Sequence, residues 1–554
     1  MMIDFTQHIP HLLVALLIFS GVVQAQDGPA TPSSGLRYYY PVPMADPALM
    51  LEFDVVAYGG TPASVATAIQ ASRMGKKAAI FVFRRHVGGM TSGGLTATDV
   101  GNAKGIGGLA AEFYRRVGKS RHFSPGEAEK TFLAMLMDAN IPVYFEHRLK
   151  AVKKDGTRIV ELEFENSNKV KAKMFADGTY EGDLLALAGV SYHCGREANS
   201  VYNETANGVQ FHDFHHFLFP VDPYRIEGDP GSGLLFGISA ASPGKVGDGD
   251  KLLQAYNFRM QLSDAPERIP FPKPADYDPT WYALLARYLK KDPDLKWNFK
   301  YPHGPVQLYN GDCNNAGAFS TDFIGENYRW PEGGYAEREA IFQKHVKYQQ
   351  GFMFFLANDE SLPDSLRQKV QAFGLNKSEF PETGGWPHEL YVREGRRMIS
   401  DHVMSEADCL GRIKAEDGVG LASYTIDSHN CQRVVHSGVK IGSETRGNVV
   451  RNEGCVDVRV PRPYPVSYRS IVPKETECSN LFVPICLSSS HIAYGSIRME
   501  PVFMILGQSA GTAAAMAIDA GIPVQKVDYA RLKNRLLADK QVLEYSDSGK
   551  GPSR

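Results

Sequence analysis

Residues 53–58, Phe-Asp-Val-Val-Ala-Tyr, form a short β-branched apolar run. Such a run suits a parallel strand covered on both faces. A glycine-led stretch, 59–64, follows as a turn. Residues 65–74 then read as a helix with small residues on one side, stopped by Gly75. Residues 78–83 form a second buried strand. Strand, tight turn, helix and strand within about 30 residues make a βαβ unit. Further on, 169–175 is strand-like, with a helix expected to start near Glu181. Helical patterns recur at 335–357 and 387–409, and 501–520 is a helix of small residues. That last segment has the length of a bilayer span. Its flanking Arg498, Glu500 and Asp519, with Gln508 and Ser509 inside, make it a buried helix instead.

The pattern also divides the chain. Residues 12–23 are apolar but short for a bilayer, and Val23-Gln24-Ala25 offers small residues where a signal peptidase reads. The first eleven residues carry Asp4 and no Lys or Arg, which leaves an uncleaved anchor as the rival to a cleaved signal. The expected division is 1–25 signal peptide, 26–50 linker, 51–193 first part of a dinucleotide-binding domain, 194–418 inserted substrate or cap domain, 419–525 second part of the dinucleotide domain, and 526–554 tail. The insert stands out by its Tyr, Phe, Trp, Pro and Asn. Export to the periplasm or the exterior follows from the signal, and no integral membrane segment is expected after its removal.

Composition changes this picture little. A formal net charge of −2 gives no electrostatic case for nucleic acid as a partner. Seven cysteines occur without a C-x-x-C, which excludes the usual iron–sulfur and structural zinc spacings. His212, His215 and His216 have a metal-like spacing, but their flanks form no clear helix, so no metal is expected.

The chemistry lies in the glycines. A dinucleotide turn needs one glycine for the sharp bend and a second where backbone approaches the pyrophosphate, which then sits on the helix N-terminus. Gly59 fills the first position, but Thr61 and Ser64 hold the second and third. The carboxylate that usually binds ribose at the end of the second strand is replaced by Val82, followed by Phe83, Arg84 and Arg85. Alone this turn is a weak signal. Gly88-Gly89-Met90-Thr91-Ser92-Gly93-Gly94 adds a flexible, donor-rich loop able to wrap a diphosphate. Asp177-Gly178, after the strand-like 169–175, either covers the adenine side or caps the next helix.

These blocks, with Asp427-Ser428-His429 and the run from Ala493 through Arg498, Met499 and Pro501 to Gly511, carry a resemblance. The chain resembles the FAD-dependent oxidoreductase family of glutathione-reductase-like flavoproteins, sometimes labelled xanthan-lyase-like. Its flavin domain is also similar to the one in heterodisulfide reductase. The resemblance implies an α/β fold: a Rossmann-like FAD-binding domain of the two-dinucleotide-binding type with an inserted mixed α+β domain. It implies FAD held by both ends of the chain. Gly59, Gly60, Thr61, Ala63 and Ser64 lie at the pyrophosphate. Gly88, Gly89, Met90, Thr91, Ser92, Gly93 and Gly94 run along the ribityl chain. Asp177 and Gly178 cover the adenosine, and Arg498, Met499, Gly507 and Gly511 close the flavin pocket.

His429 precedes the C-terminal flavin segment and is the candidate base for a substrate hydroxyl proton, a structural histidine being the alternative. Arg393 and Arg397, four apart in the 387–409 pattern, would share a helix face and bind an acidic substrate, or pair with Glu389 and Glu394. Asn314, Asn315 and Asp322 lie in a polar loop that would line the pocket. The expected activity is hydride transfer from a small molecule, such as a carbohydrate or polyol, to flavin N5, with an unidentified electron acceptor. The alternatives are a polysaccharide lyase-like enzyme and a non-catalytic flavin-fold binding protein.

Overall fold

The computed structural model describes residues 35–118, 122–212, 214–291, 306–437, 440–441, 444–445 and 447–545. The expected signal peptide lies outside them.

Strand β1 (Met50–Tyr58) carries the first apolar run, and helix α1 (Pro62–Arg73) leaves it through Gly59 at φ +111°. Pro62 opens α1, where its missing N–H costs nothing and its fixed φ suits the first turn. Strand β2 (Ala78–Phe81) returns parallel to β1, with Val55 beside Ala78 and Tyr58 beside Phe81. After the four-residue helix α2 (Gly89–Ser92), strand β3 (Val143–Tyr144) joins β2 on its far edge. On the other side of β1 lies β6 (Lys169–Asp177), parallel and with Tyr58 opposite Asp177. Strands β4 (Leu149–Asp155) and β5 (Arg158–Phe164) continue antiparallel from the start of β6. A short late strand, β7 (Leu481–Phe482), pairs with the end of β6. The order β3-β2-β1-β6-β5-β4 thus puts β1 in the middle, and the turns after β1, β2 and β6 open on one end of the sheet.

The C-terminal segment closes onto the same unit. Helix α5 (Glu500–Ala520) is long and apolar enough to cross a bilayer, yet nearly all of it is buried. It lies directly on α1. A Cβ on Gly507 would fall 2.2 Å from the Ala63 carbonyl oxygen, and one on Gly511 2.4 Å from that of Thr67. Thr67 Oγ1 donates to both the Ala63 and Gly507 carbonyls, at 2.8 and 2.9 Å. The glycines serve contact between the helices.

From the middle of the chain, helix α3 (Tyr335–Asn358) forms as its period predicts. The helix expected over 387–409 does not. Residues 392–398 are buried without a break, and the stretch runs extended to a two-residue strand, Arg397–Met398, paired with Tyr192–His193. Only a single turn there, α4 (Glu406–Cys409), is helical. Gly395 packs on the Tyr180 backbone, 2.6 Å from where its Cβ would stand. The extended chain sends Arg393 to Asp322, Arg396 to Asp183 and Arg397 to Glu197, with Glu394 shared between Arg397 and His491, so each buried charge finds a partner. Arg393 and Arg397 therefore share no helix face.

Candidate active site

A cleft opens where the ends of β1, β2 and β6 meet, lined by Gly59, Gly60, Thr61, Phe83, Arg84, Gly89 and Thr179 among others. Gly178 explains how the incomplete glycine fingerprint works. The Thr61 hydroxyl donates to the Gly178 carbonyl at 2.7 Å, so it faces the chain and its backbone faces the cleft. Ser64 stands where close helix–strand packing favours glycine. A Cβ on Gly178 would lie 2.0 Å from Ser64 Oγ, so the missing side chain on β6 makes room for the extra one on α1. The Ser64 hydroxyl is buried without a partner among the described residues. Gly60 has bare backbone at the mouth, where a Cβ would meet the His86 carbonyl at 2.6 Å. A dinucleotide fits this cradle: bare glycine backbone, the first-turn N–H groups of a twelve-residue helix, and a cleft between two strand ends.

The loop from Gly88 to Gly94 is anchored to both halves of the chain. Gly88 N donates to Gly60 O at 2.6 Å. Met90 N donates to the Tyr180 hydroxyl at 2.8 Å. That hydroxyl and the Thr91 hydroxyl each donate to Glu500 at 2.7 Å. Burial pushes the Glu500 carboxyl up to about 7, against the pull of these two donors. Ser92 Oγ returns to Val87 O at 2.6 Å, and Gly93 and Gly94 lie against Glu389 and Arg259. Tyr180 and Glu500 lie inside motifs that the sequence reading used, but it assigned neither a role at the site.

Beyond Gly94 lies a second polar cluster. Gln261 donates to the Gly94 carbonyl, and the neighbouring Arg259 pairs with Asp312. Arg259, Arg393 and Arg498 surround the Tyr391 ring at 6.0, 4.5 and 6.0 Å. Arg393 donates to Asp322 at 2.9 Å and Arg498 to Asp427 at 2.7 Å. His429 stands between the two aspartates, with Nδ1 2.7 Å from Asp322 and Nε2 3.4 Å from Asp427. Burial alone would raise the Asp322 carboxyl, but Arg393 and His429 outweigh it and hold it at about 2. Asp427 is lowered further still against its burial, by His429 and Arg498. His429, Arg393, Asp322 and Arg498 thus come together. What the arrangement can do is accept a proton at one imidazole nitrogen while a carboxylate steadies the other.

Other sequence candidates sit elsewhere. Arg397 is fully buried and donates to Ser489 O, Gly195 O, Glu197 and Glu394. Glu394 in turn meets His491 Nδ1 at 2.7 Å and accepts from Gln254 Nε2 at 2.9 Å, while Gln254 Oε1 accepts from His429 N at 3.3 Å, so Arg397 reaches the His429 cluster only indirectly. Glu389 pairs with Arg84, not with Arg393. Asp177 accepts from Thr179 N, Thr179 Oγ1 and Leu185 N, which engages its carboxylate in the β6 turn. Gly507 and Gly511 lie against α1, and Met499 is the buried N-cap residue of α5. Asn315 is buried, and its backbone N–H donates to Asn314 Oδ1 at 2.9 Å. Among the described residues, His86, Glu382 and His388 bring possible metal-ligand atoms within 4.8 Å of one another. The two imidazoles stack in parallel at 3.7 Å, so their in-plane lone pairs do not converge on one ion.

No curated protein matches the chain. Solved structures match part of it. Thioredoxin reductase of T. acidophilum is 20% identical over 27% of this chain and 40% of its own, with a TM-score of 0.18. THI4 from Thermovibrio ammonificans is 19% identical over 26% and 66%, with a TM-score of 0.22. A flavoprotein/dehydrogenase from Cytophaga hutchinsonii is 16% identical over 25% and 42%, with a TM-score of 0.20. In each the match covers less than two thirds of the solved chain. The FAD-dependent oxidoreductase family, by contrast, matches residues 54–536, and the chain belongs to that family.

Proposed function

We propose that this oxidoreductase oxidises a hydroxyl-bearing carbon of a small, uncharged polyol or carbohydrate, with His429 receiving the hydroxyl proton. FAD, when bound, supplies the hydride acceptor, and an electron acceptor of unidentified nature reoxidises it. The observation that carries the reading is the His429–Asp322 pair at 2.7 Å, set among residues that touch the Gly94 end of the cofactor loop. Asp322 fixes His429 through Nδ1 and stabilises the ring once it gains a proton. Nε2, which also faces Asp427 at 3.4 Å, is then the atom that takes the proton as the C–H bond breaks.

The charges speak for a neutral substrate. Arg259, Arg393 and Arg498 are each matched by Asp312, Asp322 and Asp427. Arg397, once a candidate for binding an acid, is matched by Glu197 and Glu394. Alternating donors and acceptors around a tyrosine suit hydroxyl groups.

The test is anaerobic mixing of the FAD-loaded protein with neutral sugars, polyols and uronates. Bleaching of the flavin absorbance by a neutral member is expected. His429→Gln should keep its FAD and lose about 10²–10⁴ in reduction rate. Bleaching at an unchanged rate removes His429 from this role. Cleavage of a polysaccharide without bleaching would favour the lyase alternative.

A further inference from the structure

Strand β2 ends without an acid: Val82 is buried, and Phe83 stacks on Tyr38 at 4.8 Å. Nucleotide ribose hydroxyls need an acceptor near this strand end. Three carboxylates line the cleft, those of Glu181, Asp183 and Glu389. Asp183 is taken by two arginines, Arg338 at 2.6 Å and Arg396 at 2.9 Å. Glu181 is buried among the aromatics, accepts from Trp330 Nε1 at 3.2 Å, and is pushed up by burial, which weakens it as a charged acceptor.

Glu389 is different. Arg84, three residues beyond β2, donates from Nη2 to Glu389 Oε2 at 2.5 Å and from Nη1 to the His388 carbonyl at 2.6 Å. The His388 ring stacks on His86, and the Glu389 Cβ packs on Gly93. A segment 305 residues away in sequence is therefore pinned to the end of β2 at three points. Oε1 of Glu389 meets no donor among the described residues, while its side chain remains 18% exposed to the cleft.

We infer that Glu389 supplies the carboxylate that binds the adenosine ribose hydroxyls of FAD, in place of the acid missing at Val82. Arg84 holds it there and offsets its charge beside the diphosphate. This rests on the assignment of FAD to the cleft.

The apoprotein tests both points when titrated with FAD and with FAD whose adenosine ribose lacks its 2′- and 3′-hydroxyls. The wild-type protein should bind the dideoxy form about tenfold to a hundredfold more weakly, the range of hydrogen bonds to a charged acceptor. Glu389→Gln should weaken FAD binding and narrow the difference between the two forms to within about threefold. Glu389→Asp, which withdraws the carboxylate by one methylene, gives the same reading if the glutamine variant does not fold. A wild-type protein that binds the two forms equally overturns the inference. So does full discrimination retained by the Glu389 variants, or its loss in Glu181→Gln instead. A wild-type protein that takes up neither form refutes the FAD assignment itself.

Discussion

Asp322 joins Arg393 to His429, and its substitution should be read in both stability and acid response. Its carboxyl lies at about 2 in the folded protein, against about 3.9 in an unfolded chain. The unfolded chain therefore binds the proton first on acidification. The stabilisation is complete above about pH 4 and is lost between about pH 4 and pH 2, on the order of 2 kcal/mol. Asp322→Asn leaves Arg393 buried beside a neutral amide and should cost about 3–5 kcal/mol at neutral pH in urea unfolding. It should also flatten the acid limb of the stability curve; a limb of unchanged slope would remove Asp322 as its source. His429 was legible because the Asp-Ser-His block precedes the C-terminal flavin segment. Its partnership with Asp322 was not, because 107 residues separate them and periodicity carries no information over that distance.

At the scale of elements, α1 and α5 act as one piece. Gly507→Ala places a methyl group 2.2 Å from the Ala63 carbonyl oxygen, so the helices must part. The expected cost is about 1–3 kcal/mol in thermal unfolding, with weaker FAD binding because Ala63 sits in the first turn of the cradle. Gly447→Ala, in open space, should stay within about 0.5 kcal/mol. Equal costs for both would show that helix contact is not limiting.

Glu500 couples the start of α5 to α2. Its folded carboxyl is raised to about 7 by burial, against about 4.3 unfolded. Its favourable contribution is full below about pH 4.3 and is lost as pH rises through about 7. Glu500→Gln cannot ionise, so it should unfold at higher temperature than the parent above pH 7, with the gap opening between about pH 4 and 7. A pH-independent difference would exclude this origin. The failed helix at 387–409 teaches the same lesson in reverse. Its spacing satisfied a helix, but uninterrupted burial of four charged residues demanded partners from several other segments, and tertiary context overrode propensity.

Across the whole molecule, one site draws on segments more than 400 residues apart, as Thr91 bonding to Glu500 shows. FAD should slow amide hydrogen exchange together in 59–94 and in 498–511. Protection confined to the first segment would mean that the C-terminal part closes the fold without sensing the cofactor.

The sequence by itself determined the βαβ unit, the donor-rich loop and the small-residue helix. These rest on side-chain periodicity and on glycines in turns, which act within about ten residues of chain. The tertiary structure decided how Gly178 accommodates Thr61 and Ser64, which aspartates hold His429, and which glutamate faces the end of β2. Buried charges and hydroxyls must find partners, but the requirement does not name them. Only folding brings the candidates into reach of one another.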